Sequence, residues 1–212
     1  TWLISPDTVL MAGNYGLIIK TVNGGNNWTT VYADTTLQFW GLWFTNPQTG
    51  FIAGSYGTIM KTTNGGDNWF NLTSPTGALL DGIWFVDENT GYIGGGHVFL
   101  KTTNGGTNWI NKNGLFTVGL ETATSVYFSD ANTGVYGTNA SRIVRTTDGG
   151  ETYTEVFSSS SNSINELSFI NASTGYGCTS SGKVVKTTDG GINWGFQNTP
   201  LTEILNGIQF IS

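Results

Sequence analysis

Eight residues of this chain carry chemistry suited to meeting a ligand: Tyr15, Phe39, Trp40, Tyr56, Asp81, His97, Phe116 and Glu166. The five aromatic rings offer flat faces for stacking on a sugar or on peptide side chains. His97, the single histidine, is the one group whose unperturbed titration lies near neutrality. Asp81 and Glu166 stand at neighbouring positions of an internal repeat, and a pair of carboxylates astride a glycosidic bond is the machinery of most glycoside hydrolases. Cys178 is the sole cysteine and has no assured base partner, so it reads as a small buried thiol. One His and one Cys cannot build a Cys/His zinc site or an internal disulfide, and neither a metal nor a cofactor is expected.

Charge narrows the partners. The 212 residues hold 8 Lys+Arg against 14 Asp+Glu, a net charge of −6, and lack the clustered cations that bind nucleic acid or an anionic membrane. No apolar run approaches the ~18 residues that would cross a bilayer, so no membrane insertion is expected. Polarity comes instead from 33 Thr and 21 Asn, which favour turns and half-buried strands over helices. The Gly-Gly pairs belong to hairpins, not to a strand-to-helix turn that would cradle phosphate.

The elements that must position these residues come as a repeat. Lys-Thr-x-Asn-Gly-Gly-x-Asn-Trp begins at Lys20, Lys61 and Lys101, with looser copies from Arg145 and Lys186, at spacings of 41, 40, 44 and 41 residues. A second string, of the form Gly-Ile-Trp-Phe-Val-Asp-Glu-Asn-Thr-Gly from Gly82, recurs in register from Gly41, Val126 and Leu167. Each unit reads as four short strands punctuated by Asn-Gly and Asp-Gly hairpin signals, and units of this length match propeller blades. The expected fold is all-β, a single five-bladed β-propeller over residues 1–212, with repeat units of roughly 1–41, 42–82, 83–124, 125–166 and 167–212. Gly207 to Ser212 form a further copy of the first strand, overlapping Trp2 to Ser5 in repeat position, so the last strand is expected to complete the first blade. The alternative is five blades cut from a larger ring. The start at Thr1, without Met or a signal-like segment, reads as a processed chain or an excised piece.

The five recurrent turns run from Thr21 to Trp28, Thr62 to Trp69, Thr102 to Trp109, Thr146 to Tyr153 and Thr187 to Trp194. They resemble the Asp-box, or BNR repeat, and with the preceding Asn/Asp-x-x-Thr-Gly-Tyr/Phe element they resemble YCF48-like propellers. The resemblance implies structural roles for Asn23 and Trp28, Asn64 and Trp69, Asn104 and Trp109, Asp148 and Tyr153, and Asp189 and Trp194. It departs in the fourth turn, where Thr152 and Tyr153 replace Asn and Trp. It also implies that each box joins the third and fourth strands, away from the binding face. Photosystem-assembly members of the family are expected to carry an Arg-rich surface, whereas this chain has only Arg142 and Arg145. The same count excludes a sialidase, which grips a carboxylate with three Arg.

A specific site breaks the symmetry of a repeat, so the entrance-face loops that differ between blades are the place to look. Those joining second to third strands hold Tyr15, Tyr56 and His97; those joining blades hold Phe39, Trp40, Asp81 and Phe116, with Glu166 just after one. The expected function is a non-enzymatic, monomeric scaffold that binds protein, peptide or glycan on this face and works outside a bacterial cell or on its surface. A glycoside hydrolase or carbohydrate-binding propeller, and an excised or engineered repeat without a ligand of its own, stand as alternatives.

Overall fold

The computed structural model describes residues 1–112, 121–160, 162–200 and 202–210. Among these described residues twenty strands fall into five sheets of four. The first holds β1 (Trp2–Ser5), β2 (Thr8–Ala12), β3 (Ile18–Thr21) and β4 (Thr29–Tyr32), and the second β5 (Phe39–Phe44), β6 (Gly50–Gly54), β7 (Ile59–Thr62) and β8 (Phe70–Asn71). The third holds β9 (Leu80–Phe85), β10 (Gly91–Gly95), β11 (Val98–Thr102) and β12 (Ile110–Asn111). The fourth holds β13 (Ala123–Phe128), β14 (Gly134–Thr138), β15 (Arg142–Thr146) and β16 (Thr154–Ser158). The fifth holds β17 (Ile164–Phe169), β18 (Gly175–Thr179), β19 (Val184–Thr187) and β20 (Gly195–Gln197). In every sheet the strand order is the chain order, a meander of antiparallel hairpins, and the fold is a five-bladed β-propeller.

The Thr-Gly element has a packing cause. The first strand of a blade ends in Phe, and its ring lies over the glycine that opens the second strand. A Cβ would come within 2.6 Å of the Phe44 ring at Gly50, 2.5 Å of Phe85 at Gly91, 2.5 Å of Phe128 at Gly134 and 2.6 Å of Phe169 at Gly175. The six-residue Phe-to-Gly spacing is therefore a side-chain pairing across one hairpin, visible in four blades. Three of the second strands, β6, β10 and β14, are buried at all five positions.

Contacts gather into two compact units, residues 1–93 with 100–111, and residues 94–99 with 112–212. In the first, Leu10, Ile18, Phe39, Phe44, Ile52 and Met60 form a core, and Trp2, Trp43 and Trp84 on successive first strands pack at ring-centroid distances of 4.8 and 4.3 Å. In the second, Val135, Ile143, Ile164, Leu167 and Val185 form a core, and Tyr127 stacks on Phe169 at 3.9 Å with rings 2° from parallel. Each fully buried side chain of this size contributes about 1.5–3 kcal/mol by leaving water.

The chain ends depart from expectation. β1 already serves as the inner strand of the first sheet, pairing Trp2 with Leu10 and Leu3 with Val9, so that sheet is complete from residues 2–32. Residues 205–210 lie instead along the fifth sheet. The Leu205 N–H donates to Thr179 O at 3.2 Å, the Ile208 N–H donates to Glu166 Oε2 at 2.7 Å, and the Phe210 ring sits 5.2 Å from Tyr176. These contacts copy, in repeat position, the Phe39 N–H to Gly13 O bond and the Phe85–Phe51 ring pair, so the segment occupies the seat of a following first strand.

Candidate functional site

The third-to-fourth-strand turns spend their polar atoms on themselves. Thr62 Oγ1 donates to Asn64 Oδ1 at 2.9 Å and accepts the Gly66 N–H at 3.0 Å, while Asn64 Oδ1 accepts the Asn68 N–H at 3.0 Å. The same net recurs from Thr21, Thr102, Thr146 and Thr187, all buried. Where Asp replaces Asn, the carboxylate collects further donors: the Thr152 hydroxyl and the Glu151 and Thr152 N–H groups hold Asp148 well below the usual carboxylate range. The Asn193 N–H and side-chain amide, with the Thr187 hydroxyl and the Ile192 N–H, lower Asp189 to about 2. Among the described residues no group of three His, Cys, Asp or Glu could hold a metal ion. The turn aromatics divide. Trp109 is buried, and Trp69 and Trp194 donate their indole N–H to the carbonyls of Gly66 and Gly191, but Trp28 is 39% exposed.

The cation opening each turn ties it to a neighbouring structure. Lys20 pairs with Asp67 at 2.6 Å, Lys61 Nζ donates to Gly105 O at 2.8 Å, and Arg145 Nε donates to Gly190 O at 3.2 Å. Lys61, Lys101 and Lys186 also lie over the rings of Phe51, Tyr92 and Tyr176 at 5.1, 5.4 and 5.2 Å.

In the first unit the second-to-third-strand loops assemble an aromatic rim. Gln38, in the segment leading to β5, is held from both sides. On one side it bridges to Asn14, with the Phe39 N–H donating to Gly13 O at 3.1 Å. On the other, the Ser55 N–H donates to Gln38 O and the Gln38 N–H donates to Ser55 Oγ, both at 2.9 Å. Tyr15 follows Asn14 and Tyr56 follows Ser55, so the two tyrosines bracket Gln38 at the same repeat position. Both stand in the left-handed region, at φ 60° and 55°, and are 70% and 76% exposed. A bulky side chain at positive φ is strained, and here hydrogen bonds to Gln38 hold the flanking residues in place. Trp40, two residues beyond Gln38, is exposed. Phe39 is not a stacking residue: it pairs with Gly54 before a bulge at Trp40, and it is 3% exposed in the core with Leu10 and Ile18. Asp81 lies in β9, half-buried, and burial pushes its carboxyl up to about 6. Gln38 has no chemical signature of its own, and only its pairing with Asn14 and Ser55 marks it.

In the second unit His97 is exposed at φ 59°, its N–H donating to Glu121 O at 3.0 Å. The clamp seen at Gln38 recurs at Thr122, which accepts the Asn139 N–H at 3.1 Å and donates its own N–H to Asn139 Oδ1 at 2.9 Å. Beside it the Arg142 guanidinium bridges Glu121 at 2.6 Å and Glu155 at 3.1 Å. Nothing in the sequence singles out this triad: the repeat position of Arg142 holds Leu17, Thr58 and Val98 but also Lys183, and Glu121 and Glu155 come from other segments. Glu166 does not stand open for chemistry: its Oε2 accepts the Ile208 N–H, and burial pushes its carboxyl up. Cys178 is 1% exposed and its thiol is pushed up by burial. Phe116 lies outside the described residues.

No protein-family model and no curated protein matches the chain. Its fold is similar to that of solved propellers at low identity. A YCF48 bound to a D1 peptide is 16% identical with a TM-score of 0.50, covering 92% of this chain and 78% of that one. An ancestral GH74 enzyme is 17% identical with a TM-score of 0.74 over 96% of this chain, and the WD40 repeats of RRP9 are 10% identical with a TM-score of 0.74, also over 96%. The chain spans 31% of the length of that enzyme and 66% of the RRP9 chain. Propellers of this shape include both binding scaffolds and enzymes.

Proposed function

We propose that the protein is a non-enzymatic binding propeller that takes an extended segment of a protein or peptide across the rim formed by Tyr15, Gln38, Trp40 and Tyr56. The observation that carries the reading is the pair of exposed tyrosines at positive φ on either side of Gln38. Strain of this kind costs of order 1–3 kcal/mol each and persists where surrounding structure over-determines it, and it clusters at ligand clamps. Neutral rings with an adjacent amide suit a partner read by stacking and backbone hydrogen bonds. A propeller of similar fold has been solved with a bound peptide, which supports the same class of partner here. The self-satisfied turns, read as Asp-boxes, hold the blades rigid. The low Lys content and the Thr/Asn-rich surface suit a monomer working outside a bacterial cell or on its surface.

The test is a peptide-array and glycan-array screen with the wild-type protein and a Tyr15→Gly/Tyr56→Gly double variant. Glycine suits the left-handed backbone, so the variant should fold at least as well while losing the rings. Peptide ligands lost by the double variant support the reading; ligands that bind both proteins equally overturn the site, and a response confined to glycans replaces peptide with carbohydrate. A glycoside hydrolase is the second reading, favoured by the raised titration of Asp81 and by the GH74 likeness. Hydrolysis of a glycan panel that disappears in Asp81→Asn would establish it against the binding-only reading.

A further inference from the structure

The fourth turn departs from the other four, and the departure coincides with a cleft of about 210 Å³ lined by Arg145, Thr147, Thr152, Thr154, Val156 and Ile192. The β15–β16 hairpin supplies most of the lining. Arg145 pairs with Thr154 across the β15–β16 ladder, Thr152 lies two residues before Thr154, and Val156 sits at the bulge where the ladder passes from Glu155 to Phe157. Thr152 stands where the other turns have Asn27, Asn68, Asn108 and Asn193, and Arg145 stands where the others have Lys. Ile192, half exposed, comes from the following turn.

Arg145 uses only Nε on the protein, donating to Gly190 O. Among the described residues nothing pairs with its two terminal amino groups, and the hydroxyls of Thr147 and Thr154 make no hydrogen bond. The first turn shows one way in which such a place is filled. There Lys20 is met at 2.6 Å by Asp67, a carboxylate supplied by the following turn. Ile192 holds the repeat position of Asp67. In the fourth turn the cation is a planar fork, and the facing position, a carboxylate at Asp67 and Glu151 in two other turns, is aliphatic.

We infer that this cleft binds a carboxylate from outside the chain, in the place that Asp67 fills beside Lys20, with an aliphatic stem against Val156 and Ile192. The Nη1/Nη2 fork matches two carboxylate oxygens in one plane, and the two spare threonine hydroxyls add donors at its edge. The nearby carboxylates of Asp148 and Asp189 are committed to turn donors, four of them to each residue. The carboxylate can belong to a free organic acid or to a residue of a protein; the recognition chemistry is the same. The site is separate from the aromatic rim and does not depend on it.

The test follows the methyl resonances of Val156 and Ile192 while the whole protein is titrated with N-acetyl-leucine, N-acetyl-leucinamide, an N-acetylated peptide ending in free leucine, and sulfate. Saturable shifts are expected with the acid and not with the amide. A peptide that binds at least as tightly as the free acid assigns the ligand to a protein terminus, and a weaker one assigns it to a small acid. Arg145→Lys restores the residue of the other turns and keeps a donor for Gly190 O, so it should fold normally yet bind roughly tenfold more weakly through loss of the fork. Ile192→Asp rebuilds the internal pair and should abolish binding, read there at Val156. Equal binding of acid and amide, an unchanged affinity in Arg145→Lys, tighter binding of sulfate, or no shift at concentrations on the order of 10 mM would each overturn the assignment.

Discussion

Replacing Thr62 by Val removes one hydroxyl and keeps the branched shape, which isolates the hydrogen-bond net of the turn. Thr62 is fully buried, and its Oγ1 is engaged three times: it donates to Asn64 Oδ1, and it accepts the N–H of Gly66 at 3.0 Å and that of Asn64 at 3.3 Å. Asn64 is exposed, so water replaces what it loses. Gly66 is buried, and its N–H is left without an acceptor, a loss of about 1–3 kcal/mol. The added methyl returns at most ~0.8 kcal/mol. A net loss of about 1–2 kcal/mol should lower the melting temperature by roughly 2–8 °C for a chain of this length. Thermal unfolding followed by far-UV circular dichroism reads it, with Thr62→Ser as the companion that keeps all three bonds and gives up only a methyl, about 1 kcal/mol. A Val variant that melts with the wild type, or a Ser variant that falls as far as Val, would show that the hydroxyl net does not hold the turn.

Gly57→Ala should destabilise by about 3 kcal/mol in urea unfolding, because the backbone is at φ 70° and the new methyl would overlap the Thr76 carbonyl oxygen. Asp81 has its folded-state pKa raised from 3.8 to about 6, so the folded protein binds the extra proton and stability falls as pH rises from about 4 to 6. Asp81→Asn should remove that slope and add up to about 3 kcal/mol at pH 7, measured by denaturant titration at both ends of the window. Tyr56→Gly should leave stability within about 1 kcal/mol of wild type or raise it, since the side chain is 76% exposed and the backbone strained; a larger loss by calorimetry would mean that the ring packs in the fold and does not wait for a partner. Glu166→Ala should loosen residues 205–210 by removing the acceptor of the Ile208 N–H, seen as faster amide exchange confined to that segment.

The sequence was strongest where a requirement is local and repeated. Five turns, four strands per blade and the glycines beneath Phe44, Phe85, Phe128 and Phe169 follow from dihedral limits and cross-strand packing within about a dozen residues, and five copies raise that signal far above chance. The same spacing showed that Thr152 and Tyr153 were exceptions. What a side chain faces beyond its own hairpin was not legible. Phe39 and Trp40 are adjacent in the chain and opposite in fate, because the β5–β6 ladder holds Phe39 against Gly54 and bulges at Trp40. Gln38 gains its place only through Asn14 and Ser55, and Ile192 gains meaning only because it occupies the seat that Asp67 fills beside Lys20. The overlap of the two chain ends was read as pairing, but β1 had already taken the inner edge of the first sheet. Sequence by itself determined the repeat and the chemistry of each turn, since those rest on contacts between near neighbours. Tertiary structure decided which polar groups remain unspent, because a donor or acceptor is free only after every distant neighbour has been placed.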